Sequence, residues 1–151
     1  MYEIRKATTE DLEIVLEMRY TTLRDVCGLK EEYSFDESFK TISRAYFADE
    51  DQTTVLAYDG EIPIGCATIC YQFMMPTFDH PTGKRAHIMN VYVDKHHRRQ
   101  GIARKMMELL LDEAKERGVT EISLDATEKG RLLYEAMGFE ASRECMVLDL
   151  R

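Results

Sequence analysis

The sequence predicts one α+β domain over residues 1–151, with a mixed, mostly antiparallel central sheet and helices on both of its faces. The length of 151 residues suits one compact hydrophobic core. Two β-rich runs flank the turn pair Asp59-Gly60, a strong signal for an antiparallel hairpin. Later in the chain, apolar strands alternate with amphipathic helices, which is the βαβ pattern of parallel strands. Together these observations favour a mixed sheet.

The first half of the chain is predicted to begin with a strand in MYEIRKA, where Tyr2 and Ile4 alternate with Glu3 and Arg5. Thr8 and Asp11 form a capping-box pattern, and the apolar residues after them recur at helical spacing. A shorter helix is predicted at 36–47 on the same grounds, whereas residues 28–34 receive no assignment. The antiparallel hairpin then follows.

The second half begins with residues 74–85, where prolines and a glycine indicate a loop or the tip of another hairpin. A strand covered on both faces is predicted in AHIMNVYVD, followed by a helix over residues 102–117 that ends at Gly118. A short strand is predicted in VTEISLD and a short helix in EKGRLLYEAMG. The chain is predicted to finish in strands within FEASRECMVLDL, residues 139–150.

Charge and cysteine content narrow the classes of partner and compartment. The chain carries 28 acidic and 20 basic side chains, a formal net charge of −8, which disfavours nucleic acid as a partner. No apolar stretch approaches the roughly 20 residues of a membrane span, and no leader-like segment is evident. The four cysteines lack C-x-x-C spacing and are predicted to be reduced core thiols. We therefore expect a cytoplasmic protein with no metal site and no membrane partner.

The segment RRQGIA, residues 98–103, joins a predicted strand to a predicted helix. The first four N–H groups of a helix lack internal partners and lie at its positive end, so they attract anions. Gly101 and Ala103 would let a pyrophosphate approach the backbone, and Arg98, Arg99 and Arg104 would add charge-assisted hydrogen bonds. The alternative is a solvated basic loop whose arginines pair with neighbouring carboxylates. The spacing matches neither a P-loop nor a dinucleotide-binding fingerprint.

Three segments in order, IMNVYVDKHHRRQGIARKMM, EISLDAT and GRLLYEAMGF, resemble the GCN5-related N-acetyltransferase (GNAT) family. Its R/Q-x-x-G-x-G/A loop is matched at residues 98–103, and its L-Y-x-x-x-G-F pattern is matched by Tyr134, Gly138 and Phe139. The resemblance extends from residue 1 to 151 and is less specific in the first strand and helix. Two positions depart from it, since many relatives have Asn and Ala where this chain has Thr127 and Gly130.

The resemblance implies acetyl-CoA as the acyl donor, in a V-shaped gap between the fourth and fifth strands of the GNAT sheet. Backbone groups of the fourth strand would receive the pantetheine arm, and the amides of residues 99–104 would hold the pyrophosphate. The same strand residues would also serve as ordinary core. The implied cofactor-binding residues are Val91, Tyr92, Val93, Arg98, Arg99, Gln100, Gly101, Ile102, Ala103, Arg104 and Thr127.

The resemblance also implies the chemical roles. A backbone N–H near Val91 would stabilise the thioester oxyanion, and Tyr134 would protonate the departing thiolate, although at helical spacing it also suits a core position. His87 is the candidate general base because histidine titrates near neutral pH, while a lone strand histidine is more often structural. Glu61, Asp125 or a chain of water molecules are the alternatives for the base. No cysteine occupies a nucleophile setting, so direct transfer in a ternary complex is expected.

The acceptor is left open between a small-molecule amine and a protein amine. The apolar segment 73–78 suggests an acceptor with hydrophobic character, or else an inert hairpin tip. A non-catalytic CoA-binding module is the alternative from another functional class, and the presence of Tyr134 argues against it. The fold family also allows a homodimer.

Overall fold

The architecture was obtained as a computed structural model, in which residues 1–142 and 144–151 are described. These residues form five strands and four α-helices, with two short 3-10 turns before α1 and α3. In chain order they are β1 (Tyr2–Lys6), α1 (Leu12–Val26), α2 (Glu37–Ala48), β2 (Gln52–Asp59), β3 (Ile62–Phe73), β4 (Lys84–Val93), α3 (Ile102–Glu116), β5 (Glu121–Leu124) and α4 (Glu128–Ala136).

The sheet is mixed and mostly antiparallel, which confirms the predicted class. Its strand order is β1-β2-β3-β4-β5, with antiparallel pairing throughout except for the parallel pair β4–β5. The predicted hairpin joins β2 to β3 at Asp59-Gly60, where Gly60 has φ 62°. Residues 74–83 form the tip of a second hairpin, between β3 and β4. The crossover from β4 through α3 to β5 supplies the parallel pair, as the βαβ pattern predicted.

Helices cover both faces of the sheet. On one face, α3 packs its fully buried Met106, Met107 and Leu110 against Val55 and Ala57 of β2 and their neighbours. On the other face, α1 packs over a smaller cluster centred on β2 and β3, formed by Val15, Met18, Leu56, Tyr58 and Cys66. The sheet is therefore the middle of three layers, and β4 reaches both cores.

The prediction of strands after Gly138 is wrong for the described residues 139–142 and 144–151, none of which is in a strand. Arg143, which fell within that prediction, lies outside the described residues. The apolar side chains of the segment are solvent-exposed: Met146, Val147 and Leu148 keep 82–94% of their surface accessible. A β-rich composition makes a strand only where an edge pairs with it and a face is buried. Here β5 is only four residues long, and among the described residues of the segment only Phe139 packs against a core.

The four cysteines are free thiols, as predicted, but they do not all lie in the core. Cys66 is buried and Cys70 is partly buried, whereas Cys27 and Cys145 are exposed. Within the described part of the chain, no group of three or more potential metal ligands is found. The same residues include no helix with the length and hydropathy needed to cross a membrane.

Candidate active site

A cleft opens where β4 and β5 stop pairing. The parallel ladder ends at Ile88 and Leu124, but β4 continues for five more residues to Val93. Beyond that point a cavity of about 220 Å³ separates the two strands. It is lined by His87, Ile88, Met89, Asn90, Val91, Leu124, Asp125, Thr127 and Tyr134. The structure thus brings four predicted site residues, His87, Val91, Thr127 and Tyr134, to one place.

A bulge in β4 frees backbone groups beside this cavity. The pairing register between β3 and β4 shifts between Cys66 and Thr68, and neither Asn90 nor Val91 pairs with a residue of β3 or β5. Asn90 has φ 62°, a left-handed conformation that is uncommon for residues other than glycine. Sequence reasoning did not identify Asn90, although asparagine is among the residues that tolerate this conformation best.

The loop after β4 presents free amides at the start of α3. Arg99 and Gly101 are both left-handed, with φ 62° and 80°, which turns the chain sharply into the helix. The first backbone bond of α3 runs from Lys105 N–H to Gly101 O at 3.1 Å. The N–H groups of residues 102–104 therefore have no partner inside the helix and lie at its positive end. Unpartnered amides of this kind are able to bind an anion, which is the role that the sequence predicts for this helix start.

The arginine side chains of the loop are largely engaged elsewhere. Arg98 donates from Nε to Val93 O at 2.7 Å and from Nη2 to Asp25 at 3.3 Å. Arg104 donates to Glu108 one turn later at 3.1 Å. The alternative of a basic loop paired with carboxylates is therefore correct for these two side chains, and the main-chain amides remain the distinctive feature. Gln100 accepts a hydrogen bond from Tyr2, which ties the loop to β1.

Tyr134 lies on α4 and faces the cavity. Its phenol is partly buried, and this burial raises its pKa above the usual value, so that the ring remains protonated at neutral pH. The ring packs over Gly130, where an added Cβ would come within 2.9 Å of Tyr134 Cε2. Gly130 therefore leaves room for the tyrosine ring. Thr127 caps the same helix by accepting a hydrogen bond from Gly130 N–H at 3.2 Å.

At the other side of the cavity, His87 lies between Ser123 of β5 and Asp125, the residue that follows β5. Its Nδ1 lies 2.7 Å from Ser123 Oγ, and its Nε2 lies 3.7 Å from an Asp125 carboxylate oxygen. Ser123 was not identified from the sequence, because its closeness to His87 depends on the parallel register of β4 and β5. Glu61 does not line the cavity and sits in the β2–β3 turn, so the structure does not favour it as a base.

The comparison with known proteins agrees with this geometry. The model of the Acetyltransferase (GNAT) family matches residues 14–139. The chain belongs to this family. It is 31% identical over 120 residues to N-alpha-acetyltransferase 30 of Schizosaccharomyces pombe, a match that covers 78% of this chain and 77% of that protein. The GNAT assignment confirms the resemblance seen in the sequence and makes the chain an acetyltransferase.

Two further similar proteins support the assignment to the GNAT family. Human N-acetyltransferase 8 is 37% identical over 67 residues, a match that covers 41% of this chain and only 30% of that protein. Among solved structures, a predicted acetyltransferase with acetyl-CoA from Clostridium acetobutylicum is 29% identical, with a TM-score of 0.84. That match covers 99% of this chain and 97% of the other, so the GNAT fold extends over essentially the whole chain.

Proposed function

We propose that this GNAT protein transfers an acetyl group from acetyl-CoA to a primary amine by direct attack in a ternary complex. The observation that carries the proposal is that β4 lines the cavity between β4 and β5 and leads, through the loop that follows it, to the unpartnered amides of α3. A long ligand with an anionic end and a reactive end would satisfy both parts of such a cleft. Acetyl-CoA has this form and supplies the acetyl group as a thioester.

The residues of the cleft fit such a donor. Backbone groups of Val91, Tyr92 and Val93 would receive the pantetheine arm as an added strand, because β5 ends before it reaches them. The amides of the loop at residues 99–104 would hold the pyrophosphate, with Thr127 as a further hydroxyl contact. Arg98 would act mainly by fixing the loop, because its guanidinium already bonds Val93 O and Asp25.

The cavity residues can also carry the protons. An alkylamine with a pKa near 10.4 is neutral in only about one molecule in 10³ at pH 7, so a base that accepts its proton speeds attack. We assign this role to His87, which Ser123 orients through Nδ1. As the carbon–nitrogen bond forms, Val91 N–H would donate to the thioester oxygen. As the carbon–sulfur bond breaks, Tyr134 would donate its proton to the sulfur.

No cysteine lines the cavity, which disfavours a covalent acetyl intermediate on a thiol of the chain. Cys66, the cysteine nearest the β4 bulge in the sheet, is buried, and this burial raises its pKa to about 11. Such a thiol is almost entirely protonated at neutral pH and is a poor nucleophile. Free thiols throughout the chain are also typical of a reducing compartment, which supports the cytoplasm as the place of the reaction.

The acceptor class can be found by measuring release of free CoA thiol from acetyl-CoA. The panel should contain peptides with free N-termini, to which the similarity with N-alpha-acetyltransferase 30 points, together with amino sugars and arylalkylamines. We expect turnover with at least one amine. Tyr134→Phe and His87→Gln should lower kcat, whereas Tyr33→Phe and His80→Gln, which lie outside the cavity, should not.

Two results would contradict the proposal. Binding of acetyl-CoA without any acceptor-dependent thiol release would favour the non-catalytic CoA-binding module. If the protein does not bind acetyl-CoA, then acetyl-CoA is not its acyl donor. An unchanged kcat in His87→Gln would contradict the assignment of the general base to His87.

A further inference from the structure

Arg19 of α1 is a partly buried guanidinium with a neutral partner. Its Nη1 donates to Asn90 Oδ1 at 3.1 Å, and it forms no ion pair with any described residue. Burial lowers the pKa of Arg19 from its usual value, although the side chain stays charged. In contrast, Arg5, Arg44 and Arg117 each pair with a carboxylate. A charge removed from water without a counter-ion disfavours folding, so stability alone does not account for Arg19.

The partner of Arg19 is the left-handed residue of the β4 bulge. Asn90 is fixed at three points, two on its side chain and one on its backbone: Oδ1 accepts from Arg19, Nδ2 donates to Thr68 Oγ1 at 3.1 Å, and the backbone carbonyl accepts from Cys66 Sγ at 3.4 Å. Thr68 and Cys66 are both 1% exposed. Thr68 in turn lies 2.9 Å from Thr54 Oγ1, so the network reaches across the sheet to β2.

This network controls the orientation of one peptide group. A residue with positive φ rotates the peptide that follows it relative to a regular strand, and for residues other than glycine this conformation carries a cost. The peptide after Asn90 contains Val91 N–H, and neither neighbouring strand pairs with Val91. Holding Asn90 at φ 62° therefore fixes where Val91 N–H points.

We propose that Arg19 and Asn90 are positioning residues that aim Val91 N–H at the thioester oxygen of the acetyl donor. The inference rests on the proposed function, because it concerns the same site. Neither side chain needs to touch the donor: Asn90 sets the backbone conformation and Arg19 holds the Asn90 amide in place. The positive charge of Arg19, transmitted through the Asn90 amide, also favours negative charge developing at that oxygen.

The test uses acetyl-CoA labelled with ¹³C at the acetyl carbonyl and records the infrared band of that carbonyl in the bound state. A hydrogen bond from Val91 N–H should move the band to lower wavenumber relative to free acetyl-CoA. In Asn90→Ala and Arg19→Met the band should return toward the free position, because the donor is misaligned. In Asn90→Gly, where φ near 62° carries no steric penalty, most of the shift should remain.

The kinetic readout should separate positioning from binding. Once an acceptor is known, Asn90→Ala should lower kcat by about tenfold to a hundredfold, while the Kd for acetyl-CoA changes by less than about threefold. Arg24→Met is the matched control, because Arg24 lies on the same helix and bonds Tyr33 O instead of Asn90. It should leave the carbonyl band and kcat unchanged.

Distinct results would overturn this inference and the proposed function. If the parent protein binds acetyl-CoA and Arg19→Met keeps the parent carbonyl band, the positioning role is wrong while the acetyl donor site stands. If Asn90→Gly loses the shift as fully as Asn90→Ala, control through positive φ is wrong. If the parent protein does not bind acetyl-CoA, the proposed function falls, and this inference falls with it.

Discussion

Replacing Gly130 by alanine should separate stability from catalysis. An added Cβ would lie 2.9 Å from Tyr134 Cε2, against an ordinary contact of at least 3.4 Å, so the ring edge must move by about 3.4 − 2.9 = 0.5 Å. A displacement of that size needs a rotation of only a few degrees and costs little. Alanine also favours the helix by up to about 1 kcal/mol. Gly130→Ala should therefore be as stable as the parent protein or more so.

Gly130→Ala should lower kcat even though it does not lower the stability of the protein. The Tyr134 hydroxyl lies farther from the Cα–Cβ bond than Cε2 does, so a rotation about that bond moves the hydroxyl at least as far and it no longer points where Gly130 allowed. Because a misplacement of 1 Å can cost about a hundredfold in rate, a shift near 0.5 Å should lower kcat by about threefold to tenfold. Denaturant unfolding measures the stability of Gly130→Ala, and thiol release from acetyl-CoA measures its kcat. A loss of stability above about 1 kcal/mol, or an unchanged kcat, would refute this reasoning.

Three further predictions concern the scaffold. Gly65→Ala should destabilise the fold by about 1–3 kcal/mol in denaturant unfolding, because its Cβ would lie 2.8 Å from the backbone oxygen of Tyr92, which cannot easily move. The hydrogen bonds of His97 to Asp94 and Asp59 raise its pKa. The contribution of His97 to stability is therefore complete below pH about 6.5 and is lost as the pH rises through the raised pKa. His97→Gln should thus be less stable than the parent protein at pH 6, with a gap that narrows by pH 9. The hydrogen bond from Arg5 lowers the pKa of Asp11 to about 2. The contribution of Asp11 to stability is therefore present above pH about 4 and is lost as the pH falls toward 2. The stability difference between Asp11→Asn and the parent protein should shrink over that range, and a constant difference would contradict the assignment.

Much of the fold was predictable because its signals are local. The Asp59-Gly60 turn, the capping pattern at Thr8 and the glycine after α3 each specify a boundary without help from distant residues. The strand prediction after Gly138 failed for the opposite reason. A strand depends on a paired edge and a buried face, and neither can be read from the alternation of a single segment.

The residues of the candidate site also differ in whether a local sequence signal predicts them. The helix-start amides and Tyr134 each belong to a motif that lies within a single segment, so both could be predicted from the sequence. Ser123 and Asn90 make contacts between β4 and β5 and between β4 and α1, and these contacts depend on strand register and helix packing. The sequence gives no local signal for Arg19, because a charged residue on an amphipathic helix ordinarily faces solvent.

The most direct test of the central claim is a crystal structure of the protein with acetyl-CoA. We expect the pyrophosphate to accept hydrogen bonds from the N–H groups of residues 102–104, and the thioester oxygen to lie within hydrogen-bonding distance of Val91 N–H. Tyr134 should face the sulfur. Electron density for acetyl-CoA outside the cleft between β4 and β5, with those amides bonded only to water, would contradict the account.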